Sequence, residues 1–445
     1  MFWIAVAIFF TAYAVIVSEK IHKTKVALAG AALTLLAKVL TQHDALHNSD
    51  LGVDWNVIFL LISMMIMVNV MTKTGVFQYV AIKSAKLAKG DPLKIMIIFA
   101  VVTAVASAFL DNVTTVLLLA PVTLLIAKEL EIDPVPYLIT EALASNIGGT
   151  ATLIGDPPNI MIASKAGLDF MDFINHLTPA IVISMVVWML IWRVVFAKRL
   201  HVRDALKAKI MAMDEKSLIK DAALLKKSGA ILGLTILGFV LHGLFHYEPA
   251  TVALGGAALL LLISNEDPHR ALAEVEWSTI FFFIGLFIII GGTVKVGFIE
   301  LLSRKMIGLT NPTPDSMFTL TMTMVWFSGI ASAIVDNIPF VATMNPLLAD
   351  MAEKVLGPST GLKGFELYQH PTMLPVWWAL ALGACLGGNG TAIGASANVI
   401  IVGMSEKAGY KITFVRFMKY GVPVMFLTVA ISMAYLYVRY YVLKW

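Results

Sequence analysis

Cysteine is all but missing from this 445-residue chain; Cys385 is the only one. That excludes an intramolecular disulfide and any site built from several thiolates. Charge is scarce too. Asp, Glu, Lys and Arg make up 14% of the residues, against about 25% in soluble domains. No G-x-x-x-x-G-K-[ST] stretch occurs, so the chain has no Walker-A loop with which to hydrolyse ATP itself. The nine histidines form no HExxH motif. The N-terminus Met1-Phe2-Trp3-Ile4 lacks the basic region of a cleaved signal peptide; positive charge comes after the first apolar run, at Lys20, Lys23 and Lys25.

What is present is apolar sequence. Hydrophobic residues make up 59% and the mean hydropathy is +0.83. A spanning helix needs about 20 apolar residues, and such runs recur along the whole chain. The net charge of +4 carries no nucleic-acid signature, because the lysines fall in short loops where they report topology. The expected partners are the lipid bilayer and a small solute, with no nucleic acid.

One stretch contradicts the apolar background. Asn146–Asn159 reads N-I-G-G-T-A-T-L-I-G-D-P-P-N, with three glycines, two prolines and an aspartate. A helix breaks there. A break at membrane depth survives only where protein or a water-filled cavity covers the freed backbone groups.

The stretch occurs twice. Gly148-Gly149, Ile154-Gly155 and Asn159 return 239 residues later as Gly387-Gly388, Ile393-Gly394 and Asn398. Asp111-Asn112 returns after 225 residues as Asp336-Asn337; Asp54-Trp55 and Gly75 return after 222 as Glu276-Trp277 and Gly297. Offsets that grow in steps are those of a duplicated unit with lengthened loops.

The expected fold is therefore an all-α polytopic membrane protein of two inverted-topology repeats. Each repeat has a re-entrant hairpin and a broken transmembrane helix, giving about 10 spans plus two hairpins. The first repeat covers 1–197, with hairpin 93–128 and broken helix 136–166. A cytoplasmic connector covers 198–227. The second repeat covers 228–445, with hairpin 315–350 and broken helix 374–405. Spans are expected at 1–18, 25–41, 55–71, 179–197, 228–246, 248–264, 277–294 and 421–440, with interfacial pieces at 75–90 and 298–308 and a polar loop at 351–372. The connector holds nine Lys/Arg, the loop 72–94 five lysines, and 42–54 none but three aspartates. The positive-inside rule puts the first two in the cytoplasm and both termini outside. Lys295, Arg304 and Lys305 then fall outside, against the rule.

Paired broken helices between repeats are the signature of a secondary transporter. Candidate solute ligands are Asn146, Gly148, Gly149, Thr150, Thr152 and Asn159 at the first break, and Gly388, Asn389, Thr391, Ser396 and Asn398 at the second. Asn112 and Asn337 join them from the hairpin tips. Candidate proton-coupling acids are Asp111 and Asp336, each between two apolar arms where charge is costly, with Asp156 and Glu141 near the first break. Each hairpin Asp also suits an N-cap. Asp156 aligns with Ala395 and Glu141 with Leu380, so the repeats are chemically unequal. No cofactor and no metal site is expected.

The motifs Ala108-Phe109-Leu110-Asp111-Asn112-Val113-Thr114-Thr115, Asn146–Asn159 and Val335-Asp336-Asn337-Ile338-Pro339 resemble the ArsB/NhaD family of the ion transporter superfamily. That family includes arsenite permeases, NhaD-type sodium–proton antiporters and the P protein; the I-G-D-P-P-N form resembles the P-protein and prokaryotic permease branch. The resemblance implies a scaffold part and a transport part, an inward-opening hairpin tipped by Asp111-Asn112 and an outward-opening one tipped by Asp336-Asn337. It also implies homodimers and elevator-like movement. The expected function is proton-coupled efflux of arsenite or antimonite across the inner membrane. A neutral trihydroxide suits a cavity of Asn, Thr, Ser and backbone amides without thiols. A sodium–proton antiporter, a carboxylate or other anion carrier, and an intramembrane aspartyl hydrolase using Asp111 and Asp336 are the rivals. The sequence leaves open whether a peripheral ATPase joins the pump.

Overall fold

The computed structural model describes residues 1–444 apart from 19, 49, 198, 199, 201 and 246. Two of the connector's nine cationic positions, 198 and 199, thus lie outside the described residues. Among the described residues the regular structure is helical throughout, and seven helices are long and apolar enough to cross a membrane. The protein is an integral membrane protein.

The helix ends are chemically marked. Asp54 accepts from Val57 N at 3.2 Å and opens Trp55–Thr72. Asp91 caps Pro92–Phe109 with the proline in the first turn. That helix stops at Leu110, and Asp111 caps the return arm Asn112–Glu129 by accepting from Thr114 N at 2.9 Å. In the second half Phe318–Ile334 stops at Val335, and Asp336 caps Asn337–Val355 by accepting from Ile338 N at 3.1 Å. Both hairpin aspartates therefore do act as N-caps.

The broken helices lie where the glycines and prolines place them. Val135–Gly149 and Pro157–Ala166 are separated by non-helical residues 150–156. Leu374–Gly387 passes through one tight turn, Gly388–Gly390, and resumes as Ser396–Lys407. Asp156 and its counterpart Ala395 have the same extended backbone, φ −142° ψ 131° and φ −149° ψ 147°. Each hairpin's first arm packs on the broken helix of its own half, Pro92–Phe109 on Val135–Gly149 and Phe318–Ile334 on Leu374–Gly387. Each second arm packs on the other half's break, Asn112–Glu129 on Ser396–Lys407 and Asn337–Val355 on Pro157–Ala166. Outside this group Lys23–Leu36 packs on Trp277–Lys295, and Trp55–Thr72 on Pro249–Ser264. The two halves interleave rather than standing apart.

Three expectations change. The span expected at 25–41 is a helix only over Lys23–Leu36, about 21 Å long at the usual rise, and the chain turns at Lys38 with φ 57°. The last helix starts at Phe414 rather than 421. The loop 351–372 carries two short helices, Gly357–Thr360 and Gly364–Tyr368. Two of the three cations expected against the rule, Lys295 and Arg304, find acids. Lys295 Nζ lies 2.6 Å from Asp44, and Arg304 2.7 Å from Glu300. The hydrogen bond from Lys295, then that of Thr41, holds the Asp44 carboxyl below its ordinary value.

Glycine sets the closest approach. A Cβ on Gly148 would sit 2.1 Å from Ala104 O, and one on Gly387 2.4 Å from Gly329 O. Those neighbours are main-chain atoms and cannot swing away. Gly148→Ala or Gly387→Ala is expected to lower stability by about 1–3 kcal/mol through overpacking, read as a lower melting temperature in detergent. Gly308→Ala, with nothing near its added carbon, is expected to leave stability unchanged or raise it by up to about 1 kcal/mol.

Candidate transport site

The two breaks are held by the same contacts. Asn159 Nδ2 donates to Thr150 O and Thr152 O at 3.1 and 2.8 Å. Asn398 Nδ2 donates to Gly388 O and Thr391 O at 2.8 and 2.8 Å. The Thr152 hydroxyl donates to Ala108 O, and the Thr391 hydroxyl to Ala333 O. Gly155 lies against Ser107 O, and Gly394 against Ser332 O. The second member is the first moved along by the offset of its motif, except that Asn398 binds Gly388 O where the offset from Thr150 leads to Asn389. These polar residues close the freed backbone groups.

The breaks meet at Asn146. Its Nδ2 donates to Asn389 Oδ1 at 2.9 Å and Asn398 Oδ1 at 3.0 Å, and its Oδ1 accepts from Asn112 Nδ2 at 3.4 Å. The residue 239 positions on is Cys385, whose thiol faces Asn159 Oδ1 at 3.6 Å. The lone cysteine thus makes the counterpart contact with a weaker donor.

Asp156 is fully buried. It accepts from Asn112 Nδ2 at 3.2 Å and from Asn337 Nδ2 at 3.4 and 3.2 Å. One carboxylate thereby joins the first break to both hairpin tips. Among the described residues no Lys, Arg or His forms an ion pair with it. Beside it lies a cavity of about 30 Å³ lined by Asp111, Asn112, Asp156, Glu276, Asn337 and Ser396, with Leu61, Met65, Pro157 and Thr279 among the rest. That is room for a water-sized group or two.

Two larger pockets flank this centre. One, about 490 Å³, is lined by Lys23, Glu276, Ser278, Thr279, Asp336, Ser396 and Val399. The other, about 460 Å³, is lined by Asn56, Val57, Leu153, Ile160, Asp169, His242 and Glu248. Asn56, Val57 and Ile160 are the repeat counterparts of Ser278, Thr279 and Val399, at the offsets 222, 222 and 239 read from the motifs. The pockets lie at opposite ends of Trp55–Thr72. Asn56 starts that helix, while Asn69 near its end donates to Glu274 O, two residues before Glu276.

Of the residues singled out in the sequence, Asp111, Asn112, Asp156, Asn337 and Ser396 line the central cavity and Asp336 the first pocket. Asn146, Asn389, Asn159, Asn398, Thr152 and Thr391 form the frame. Thr150 closes its own helix by donating to Asn146 O at 2.7 Å. Gly148 packs on the Ala104 backbone, Gly149 on Gly155 and Gly388 on Gly394, so their role is close approach. Glu141 does not join the group. It is buried between the hairpin and the broken helix, accepts from the Thr123 hydroxyl with one oxygen, and has no partner for the other. Asp111 and Asp336 share no contact: Thr114 takes the first and Lys23 the second. Such an arrangement lacks the shared proton of an aspartyl dyad.

Lys23 is the residue that sequence reasoning missed. Its Nζ lies 2.8 Å from both Asp336 Oδ2 and Ser396 Oγ. A lysine flanking an apolar run reads as topology, and its partner is 313 positions away. Glu276 was visible only as the echo of Asp54.

A membrane fold of interleaved helices with two breaks and a polar centre between two pockets is that of a secondary transporter. The chain belongs to the citrate transporter family, whose profile matches residues 13–383. It is 46% identical over 440 residues to an uncharacterized transporter of Mycobacterium tuberculosis, covering 99% of both chains. It is 33% identical over 518 residues to the P protein of Homo sapiens, covering 99% of this chain and 60% of that protein. The YdaH transporter of Alcanivorax borkumensis has the same fold, with a TM-score of 0.55 at 12% identity over 100% of this chain and 98% of that one. The P protein relationship agrees with the motif resemblance, and the matching profile places the chain with citrate transporters in the same superfamily.

Asn146→Ala leaves Asn389 and Asn398 without their donor. A loss of about 1–3 kcal/mol is expected, read by thermal unfolding, with a smaller loss for Cys385→Ser because a hydroxyl keeps the counterpart contact.

Proposed function

We propose that the protein is a proton-coupled exporter of trivalent arsenic or antimony hydroxide in the inner membrane, with Asp156 as the proton carrier. The observation that carries this is Asp156 itself: wholly buried, held by amides from both hairpins, and free of any ion-pair partner among the described residues. A charge in such a place is costly, and a proton cancels it. Bound as the carboxylic acid, Asp156 donates to a hairpin amide oxygen or to a solute hydroxyl; ionised, it accepts from both hairpin amides. Proton loss and gain therefore change how the hairpin tips are tied to the first break. The paired pockets support alternating access between inverted repeats, one pocket serving each side of the membrane. In the topology read from the loop charges, the Lys23 pocket opens to the cytoplasm. A neutral trihydroxide finds donors and acceptors in Asn112, Asn337, Ser396 and Asp156, and meets no thiol except the buried Cys385.

A second reading has its own support. The Lys23 ammonium in a pocket of about 490 Å³, together with the citrate transporter profile, favours a carboxylate solute. Sodium in place of the proton at Asp156 is the third case.

The test is flux into proteoliposomes with an acidic interior, offering arsenite, antimonite, citrate or Na⁺. Arsenite or antimonite uptake driven by the gradient is expected. Asp156→Asn is expected to reduce it about tenfold or more, equivalent to ~1.4 kcal/mol in the barrier, while Glu141→Gln retains most of it. Gradient-driven flux of citrate alone moves the assignment to the second reading. Full coupled flux in Asp156→Asn removes the proton from Asp156.

A further inference from the structure

The two halves handle charge in opposite ways. At the first break the residue in the extended position is Asp156, and among the described residues no cation pairs with it. At the second break the same position is Ala395, yet the next residue, Ser396, and the hairpin carboxylate Asp336 hold an ammonium between them. Lys23 Nζ is 2.8 Å from each and 4.9 Å from the centre of the Phe282 ring. Among the described residues Asp111, the counterpart of Asp336, pairs with no cation and accepts from Thr114. The remaining charged or titratable groups around Lys23 are Glu276 and His22 in the same pocket.

The amine comes from outside the hairpin group. Lys23 opens a helix fixed to Trp277–Lys295, where a Cβ on Gly285 would lie 2.6 Å from the Ala27 carbonyl carbon and Thr24 Oγ1 donates to Ser278 O at 2.7 Å. Its side chain reaches from that helix to the tip of the second hairpin and the second break. An ammonium is a compact point charge with three donors, and it stands where a free cation would meet the Asp336 carboxylate and the Ser396 hydroxyl.

We infer that Lys23 is a built-in cation filling the coupling-ion place of the second half. Asp156 is then the single exchangeable place, and one proton or small cation moves per cycle. The inference rests on the proposed reading of Asp156 only for that count; the occupancy of the second place by Lys23 stands by itself.

The test is melting of nanodisc-embedded protein in NaCl, methylammonium chloride or choline chloride at equal ionic strength. Lys23→Gln is expected to melt several degrees lower in choline, with partial recovery in NaCl or methylammonium. Lys23→Arg should melt like the wild type, and the double variant Lys23→Gln/Asp336→Asn should ignore the salt. Unchanged melting of Lys23→Gln, equal recovery by choline, or a persisting sodium response in the double variant overturns the proposal. A Lys23→Gln protein that purifies in NaCl but not in choline is the same positive result; one that purifies in neither overturns it. In arsenite flux, the wild type should be first order in protons and Lys23→Gln should gain a sodium dependence. Because melting needs no solute, absent arsenite flux in the wild type counts against the solute assignment alone, and the melting series still decides the role of Lys23.

Discussion

Backbone groups freed at the two breaks are buried inside a membrane protein, and the architecture follows from how they are closed. Asn159 and Asn398 each bind two carbonyls of their own break, and Thr152 and Thr391 reach the first arm of their own hairpin. An unmade backbone hydrogen bond in an apolar medium costs several kcal/mol. Removing these side chains would leave the carbonyls of breaks that glycine and proline impose without partners. Gly155 and Gly394 add the second requirement, since only a residue without Cβ lets the hairpin backbone come so near.

The frame leaves one carboxylate at its centre. Once the carbonyls are closed by local side chains, the amides of Asn112 and Asn337 are left to face Asp156. The carboxylate then sits among neutral donors contributed by both hairpin tips. From the first break it hydrogen-bonds to both hairpin tips, so its charge state bears on all of them together. Glu141, equally buried, lacks that position. Its one partner is Thr123, and a change of charge there would be felt locally.

The asymmetry between the halves is as informative as their likeness. Their frame contacts correspond in all but one carbonyl, down to Cys385 standing in for Asn146 against the partner asparagine. Their charges do not correspond: one break has an acid, the other an ammonium delivered from a neighbouring helix. Membership of the citrate transporter family fits a protein whose scaffold is shared with other transporters.

Much of this was legible in the chain itself. Hydropathy determined that the protein is helical and membrane-embedded. Glycine and proline, whose conformational limits act within a few residues, located both breaks, and the echo of polar exceptions located the hairpin tips at Asp111 and Asp336. Local rules carry no information about which side chains meet across hundreds of positions. Only the tertiary structure separated Asp156, Asn112 and Asn337, which share one cavity, from Glu141, which does not. It also showed Gly148 as a packing contact and paired Lys295 with Asp44. Most of all, it turned Lys23 from a flanking charge into the partner of Asp336. That pairing depends on helix Lys23–Leu36 lying against Trp277–Lys295, a packing choice made by shape between segments remote in the chain.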